Sequence, residues 1–180
     1  MAKIKLSTFA IQVTALENRY VTRLGNRGRV LVTRIMPGSD LIQSIRTVVE
    51  EHGIKAGVII SGVGLLRRAH LRNCRALPKE YPITDTNRSF LTFERPLEIL
   101  ALSGNISEVE GKPWVHVHIT LSYIEGETVR VIGGHLLEGS VIFGFAEVFI
   151  MELRDIEMKK SFDEETKTLQ LFAQNRQSSA

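Results

Sequence analysis

The sequence predicts an α+β fold, a mainly antiparallel β-sheet with one principal helix packed on it. Most segments are short, rich in β-branched residues and separated by turn-forming residues, which is typical of antiparallel strands. Only one segment repeats its apolar residues at clear helical spacing. With 180 residues, 43% hydrophobic and 24% charged, the chain has the composition of an ordinary globular domain. We therefore expect one core between the helix and the sheet.

A β-meander is expected near the amino terminus. Residues 8–14, 20–24 and 29–35 are rich in β-forming side chains. The residues between them include Asn18, Gly25 and Gly28, which favour tight turns because Asn and Gly tolerate the backbone angles that turns require. Three strands are therefore predicted before the helix.

The principal helix follows a break at Pro37 and Gly38. Apolar residues then recur at helical spacing on one face: Leu41, Ile42, Ile45, Val48 and Val49. Ser39 is expected to cap the first turn, because its hydroxyl can accept a hydrogen bond from a free backbone N–H. Gly53 is expected to end the helix in the left-handed conformation.

The remaining chain is predicted to be largely strands. The expected strands are residues 55–61, 65–73, 97–105, 114–123, 128–132 and 141–153. Gly62-Val63-Gly64 is interpreted as a tight turn between the first two of these strands. Residues 74–88 contain two prolines among polar residues and are expected to form a long loop. Residues 174–180 have the polar composition of a disordered end.

Cysteine use and apolar run length point to the cytoplasm. Cys74 is the only cysteine, so no intrachain disulfide can form. Lys3 and Lys5 interrupt the start of the chain before a signal-like apolar stretch develops. No apolar run approaches the roughly 18 residues that span a bilayer. We therefore expect a cytoplasmic protein with no membrane segment.

Basic residues give only a weak indication of nucleic-acid binding. The formal net charge is +3, which is too small to indicate a dedicated DNA-binding surface. Arg68 and Arg72 alternate onto one face of a predicted strand, where they could contact an anion or a phosphate backbone. A solvated sheet face is the alternative interpretation. The chain has no P-loop and no nucleophile elbow, so a conventional kinase or hydrolase is not predicted.

Residues 141–151 are apolar at both odd and even positions, which predicts a strand covered on both faces. The principal helix can cover one face only. The second face needs either a second layer from this chain or an interface with another copy. Because few residues have helical spacing, we favour the interface and expect a homo-oligomer.

Three histidines form the strongest candidate site. His116 and His118 are two residues apart on a predicted strand, so they share a face, with Cα atoms roughly 6.5 to 7 Å apart. His135 follows Gly133 and Gly134, where the absence of side chains permits close approach. Three imidazoles with one open position would suit zinc or a related divalent ion. Two solvated or hydrogen-bonded histidines are the alternative explanation of the His-x-His pair.

The order and type of residues in four blocks resemble the plant and prokaryote conserved domain (PPC, DUF296), in its stand-alone prokaryotic form. The blocks are Pro37-Gly38-Ser39-Asp40-Leu41 with His52-Gly53-Ile54, then Gly57 to Gly64, then Glu98 to Ile106, and finally Val115-His116-Val117-His118 with Gly133-Gly134-His135 and Leu136 to Gly139. The resemblance implies a domain over residues 8–153 and leaves residues 154–180 as a C-terminal extension with a disordered tail.

This resemblance also implies assembly and ligands. It implies a mixed antiparallel sheet with a packed helix, a homotrimer, and a metal on His116, His118 and His135. Plant members bind DNA through AT-hooks outside the domain. This chain has Val30 where the proline of an Arg-Gly-Arg-Pro core would stand, so direct DNA binding is expected to be weak or absent.

Two classes of function follow. The first is a trimeric binding or regulatory protein, DNA-associated through a partner, with a small anionic ligand or a regulatory protein as the expected partner. The alternative is a small metal-dependent enzyme acting on an unidentified small molecule, with metal-bound water as the nucleophile and Glu138 as the base. The sequence identifies no catalytic residue by spacing alone.

Overall fold

The computed structural model describes residues 20–176, which form eight β-strands and one α-helix. The elements in chain order are β1 (Asn26–Ile35), α1 (Leu41–Glu51), β2 (Gly57–Cys74), β3 (Arg88–Val109), β4 (Lys112–Glu125), β5 (Thr128–Leu136), β6 (Val141–Arg154), β7 (Ile156–Asp163) and β8 (Thr168–Asn175). A short 3₁₀ helix, Asp85–Asn87, lies in the loop between β2 and β3. The predicted class, a mainly antiparallel sheet with one principal helix, is confirmed.

One sheet contains all eight strands, in the order β1-β6-β2-β5-β4-β3-β7-β8. Strand β2 also pairs with β3, so β2, β3, β4 and β5 form a closed ring. Every pairing is antiparallel except that of β3 with β7. Because β2 is 18 residues long, it pairs on one side with β6 over its first part and with β5 near Leu71 and Arg72. This closure brings β2, β4 and β5 side by side.

Helix α1 packs its apolar face into the core. Leu41, Ile45 and Val49 are buried together with the inward-facing residues of β2, β4 and β6. The helix begins at Asp40, whose carboxylate accepts a hydrogen bond from the backbone N–H of Gln43 at 3.0 Å. The predicted cap at Ser39 is therefore wrong by one residue, because Asp40 has the extended capping conformation. Gly53 follows the helix with φ +61°, as predicted.

Two predicted elements of the first half differ in the structure. Residues 20–25 form no strand, and Tyr20 and Leu24 are largely exposed, because no strand of the described chain pairs with them. The predicted strand at residues 8–14 lies outside the described residues. The predicted turn at Gly62-Val63-Gly64 is also wrong, since these residues lie inside the continuous strand β2. Gly64 has φ +155°, and an added Cβ there would collide with the backbone of β6, so close strand packing explains the glycine.

The second half has longer strands than the sequence predicts, and an additional hairpin. Strand β5 continues beyond residue 132 and includes His135. Residues 75–87 form the expected loop. Strands β7 and β8 form an antiparallel hairpin that the sequence analysis did not predict. Gln174 lies in β8 and not in a disordered tail, because it pairs with Glu157, while residues 177–180 lie outside the described residues.

The β1–β6 part of the sheet has one covered face and one exposed apolar face. Ile142, Val148 and Ile150 of β6 are fully buried in the core. On the opposite side, large apolar residues of β1, β2, β3 and β6 are exposed. We call this set the outer face: Val30, Val32, Ile60, Val63, Leu100, Phe143 and Phe145. Within residues 20–176, no helix has the length and apolar character needed to cross a membrane.

Candidate metal centre

Neighbouring strands β4 and β5 bring three histidine rings together. His118 of β4 and His135 of β5 are direct partners in the antiparallel register. His116 lies two residues before His118 and therefore projects from the same face of β4. The ring centroids of the three histidines are 4.8 to 5.4 Å apart. The predicted juxtaposition of His116, His118 and His135 is therefore present in the folded chain.

The nitrogen positions suit a shared metal ion. Nε2 of His116 lies 3.2 Å from Nε2 of His118, and the candidate ligand atoms of all three histidines lie within 4.8 Å of one another. Two ligands of a tetrahedral zinc ion with bonds of about 2.0 to 2.1 Å are themselves separated by roughly 3.3 to 3.4 Å. The His116–His118 pair is therefore close to this spacing, and a ligand atom of His135 lies within 4.8 Å of both.

The environment lowers the pKa of two of these imidazoles, those of His116 and His135. Burial lowers the pKa of His116 to about 4, with further contributions from Lys160, His118 and Arg72. Burial also lowers the pKa of His135 to about 3, assisted first by Arg72 and then by His116. A neutral ring has the free lone pair that a metal requires. Nδ1 of His135 is buried and has no hydrogen-bond partner, which is costly in the absence of a ligand.

Glycine residues of β5 allow β2 to position His135. The side chain of Asn73 occupies the space that a Cβ on Gly134 would fill. From there its Nδ2 donates a hydrogen bond of 2.9 Å to the carbonyl of Gly133. The glycine pair therefore has a packing role: it lets Asn73 fix the segment that carries His135.

A pocket of about 430 Å³ opens beside the histidines. His116 and His135 form part of its wall, and its cationic residues are Arg46, Arg72 and Lys160. The rest of the lining consists of Glu138, which pairs with Arg46, together with His70, Trp114 and the aliphatic residues Ile42, Val115, Leu136 and Leu137. Nζ of Lys160 lies 5.7 Å from the centre of the Trp114 ring. The pocket thus combines candidate metal ligands, cations and an apolar wall.

The two arginines that the sequence analysis singled out occupy different environments. Arg72 is the register partner of His135 and lies at the pocket. Arg68 is outside it, and its guanidinium lies 3.5 Å from the carboxylate of Glu94. The sequence analysis did not single out Lys160, because β7 belongs to the stretch taken as an extension. Its alternation with apolar Met158 and Phe162 was the only sequence feature that could have indicated a strand there.

Glu138, the base in the enzyme alternative, is already engaged. Its carboxylate accepts a hydrogen bond from Arg46 at 2.8 Å and another from Gln43 at 3.3 Å. These bonds lower the pKa of Glu138. Its backbone carbonyl is 2.9 Å from Nδ1 of His70. Glu138 therefore links the β5–β6 connection to α1.

Comparison with known proteins places these features in a family. A model of the Plants and Prokaryotes Conserved (PCC) domain, the family introduced above as PPC, matches residues 22–154. The chain belongs to this family. The matched region contains all three histidines and Arg72, whereas Lys160 lies beyond its end.

Solved PCC-like structures share the fold. A metal-containing protein from Archaeoglobus fulgidus is 31% identical, with a TM-score of 0.69, and the alignment covers 85% of this chain and 99% of the other. A plant- and prokaryote-conserved protein from Pyrococcus horikoshii is 27% identical, with a TM-score of 0.67, covering 83% and 96% of the two chains. A Bacteroides thetaiotaomicron protein described as a putative DNA-binding protein, at 21% identity, shows the fold alone, with a TM-score of 0.65 and 83% and 98% covered.

The curated relatives are much longer proteins. Bifunctional protein GlmU from a Synechococcus strain is 33% identical over 143 residues, which are 79% of this chain and 20% of the relative. The same protein from a second Synechococcus strain is 32% identical over 146 residues. The chain thus spans about a fifth of the length of these relatives.

Proposed function

We propose that this PCC-domain protein is a homotrimeric binding protein that holds a divalent metal ion on His116, His118 and His135. The observation that carries the proposal is the 3.2 Å separation of the Nε2 atoms of His116 and His118, with His135 as a third neighbour. Imidazoles this close, with one buried nitrogen left without a partner, are a suitable ligand set for a metal.

Zinc is the first expectation for the metal. Three nitrogen ligands without sulfur are typical of sites that keep a fourth position for water or another ligand. Bound there, zinc would supply a Lewis-acidic centre. The metal-containing description of the Archaeoglobus fulgidus relative, at 31% identity, supports a metal in this chain as well.

Zinc affinity tests the metal site. We expect the purified protein, stripped by a chelator and reconstituted, to bind one zinc ion per chain in competition with a chromophoric chelator. His118→Ala should weaken that binding by about 100-fold or more, because one of three ligands is lost. His52→Gln is the matched control, since His52 lies at the end of α1 and its ring contacts only the Val48 carbonyl among the described residues. Equal zinc affinity for His118→Ala and the parent protein would exclude the site.

A binding role is favoured over the enzyme alternative by the state of Glu138. A carboxylate that already accepts bonds from Arg46 and Gln43, with a lowered pKa, is a poor general base. The pocket retains cations and an apolar wall, which suit retention of a ligand. We therefore propose a ligand-responsive binding protein.

Homotrimer formation is supported by the outer face. Phe143 and Phe145 of β6 are 62% and 41% exposed, and Val63 of the neighbouring strand β2, the register partner of Glu147, is 45% exposed. Contiguous exposed apolar side chains of this kind are typical of protein interfaces. A second copy of the chain would cover the face that the core leaves open. We expect light scattering to give the mass of a trimer for the parent protein. Phe143→Glu should give a smaller species. A parent protein that is monomeric at micromolar concentration would contradict the assembly.

Direct DNA binding is proposed to be weak and salt-sensitive. The net charge is only +3, and Arg68 is already neutralised by Glu94. A DNA-associated role would therefore depend on a partner. Fluorescence anisotropy with duplex DNA should show affinity falling steeply with added salt. Nanomolar, sequence-selective binding at physiological salt would contradict this expectation.

A further inference from the structure

Two cations at the histidine pocket form no ion pair in the described part of the chain, whereas the third, Arg46, pairs with Glu138. Arg72 and Lys160 both line the pocket with His116 and His135. Within residues 20–176, neither side chain takes part in an ion pair or a side-chain hydrogen bond. The two like charges share one pocket wall, and burial and the neighbouring Arg72 lower the pKa of Lys160. This arrangement is unfavourable unless a negative charge occupies the pocket.

The positive charges of Arg72 and Lys160 also disfavour the binding of a metal cation at the histidines. Arg72 is the register partner of His135, and Lys160 lines the same pocket, so each places a positive charge beside the rings and disfavours a cation there. A site that served only to bind a divalent cation would gain affinity by losing them. Their position next to the histidines therefore indicates a ligand that interacts with metal and cations together.

The rest of the pocket restricts the kind of anion. Trp114 is 43% exposed, and Ile42 and Leu137 line the same cavity. An inorganic anion would leave this apolar wall without a contact. A volume of about 430 Å³ is within the range of small-molecule sites. The ligand is therefore expected to have an anionic head and an apolar body.

We propose that the pocket binds a small organic oxyanion, a carboxylate or a phosphate ester, with its head between the metal, Arg72 and Lys160 and its body against Trp114. Oxyanions fit both partners, since guanidinium and ammonium groups donate to them and divalent metals accept their oxygen atoms as ligands. This proposal rests on the proposed metal function and adds the chemical class of its ligand.

Calorimetric titration of the zinc-loaded protein tests the proposal. The probes are benzoate, phenyl phosphate, inorganic phosphate and the neutral analogue benzamide. We expect at least one aromatic oxyanion to bind more than 10-fold tighter than benzamide and than inorganic phosphate. Tighter binding of phenyl phosphate would assign a phosphate head, and tighter binding of benzoate a carboxylate head. Equal affinity for benzamide and both aromatic oxyanions would overturn the proposal.

Charge-removing variants test the role of the two cations. Lys160→Gln and Arg72→Gln should each weaken oxyanion binding by about 10-fold or more. Lys159→Gln and Arg68→Gln are matched controls, because Lys159 pairs with Glu157 and Arg68 with Glu94. Both controls should stay within about twofold of the parent. Parental oxyanion affinity in Lys160→Gln and Arg72→Gln would overturn the proposal.

Zinc affinity, measured separately, distinguishes this inference from the metal site. Lys160→Gln should bind zinc as tightly as the parent or more tightly, because a repelling charge is removed. Loss of oxyanion affinity with retained zinc affinity is thus the expected pattern. Failure of the parent to bind zinc would reject the proposed function. Zinc binding without oxyanion binding, or equal oxyanion affinity with and without zinc, would reject the metal-and-cation ligand site alone.

Discussion

Two charged clusters of the described residues are built in opposite ways. In the first, Arg29 of β1 donates hydrogen bonds from Nε and Nη2 to the two carboxylate oxygens of Glu152 on β6, each at 2.9 Å. Nη2 also donates to the carbonyl of His52 at 2.9 Å. In the second, Arg72 and Lys160 line a pocket with His116 and His135, and neither cation forms an ion pair in the described part of the chain.

The first cluster has the features of a stabilising contact, and the second has the features of a ligand-binding site. The Arg29–Glu152 pair joins the edge strand to its neighbour, and the hydrogen bonds from Arg29 lower the pKa of Glu152 to about 2. The histidine pocket instead retains an unpartnered buried nitrogen and like charges, both of which work against folding. Unpartnered nitrogens and like charges of this kind are typical of binding sites, where a bound ligand supplies the missing partner.

The largest expected effect follows from replacing His135. His135→Leu removes a metal ligand and a buried unpartnered nitrogen in one step. We expect zinc affinity to fall by about 100-fold or more, while the metal-free protein becomes more stable by about 1 kcal/mol, because an apolar side chain costs nothing to bury. Zinc competition and urea unfolding with chelator present measure the two effects. A metal-free variant clearly less stable than the parent would show that the ring is structural.

A smaller loss of zinc affinity is expected when the three histidines are retained and the residue that positions His135 is displaced. In Gly134→Ala the new Cβ would collide with the side chain of Asn73, which must then release the Gly133 carbonyl. We expect zinc affinity to fall by about 10-fold, as is typical when a residue that orients a metal ligand is altered. Gly144→Ala is the matched control, because a Cβ there meets no atom within 4 Å. Parental zinc affinity in Gly134→Ala would show that Asn73 does not position His135.

The smallest effect is expected at the paired cluster, and it depends on pH. Glu152→Gln should cost about 1 kcal/mol of folding stability at pH 7, because the ion pair with Arg29 is lost. The carboxyl pKa is near 4.5 unfolded and about 2 folded, so its contribution is complete above pH 4.5 and disappears as pH falls towards 2. Urea unfolding of both proteins at several pH values measures this convergence. A stability difference that stays constant from pH 7 to pH 2 would contradict the role of the charge.

Much of the histidine site could be predicted from the spacing of residues that are close together in the sequence. The spacing of His116 and His118 places both rings on one face of a strand whatever the strand pairs with. Helix α1 was equally predictable, because its apolar repeat and Gly53 are local features. Asp40 replaced Ser39 as the cap because its carboxylate also accepts a bond from the backbone N–H of Gly139, a contact outside the helix.

The elements that the sequence analysis predicted wrongly depend on pairing between strands that are far apart in the sequence. Gly62 and Gly64 have the composition of a turn, yet an added Cβ at either would collide with β3 or β6, so their role is visible only when those strands are in place. The hairpin of β7 and β8 has weak alternation and was not predicted. The pairing of β7 with β3 is what brings Lys160 to the histidine pocket.

The sequence by itself determined the fold class, the helix, and which histidines share a strand face, since each depends on periodicity along the chain. Tertiary structure decided which residues meet across strands. The register of β4 against β5 brought His135 to His118, and the closure of β2 onto β5 brought Arg72 to the pocket while Arg68 remained with Glu94. Sheet register depends on contacts between residues far apart in the chain, so no local pattern contains it.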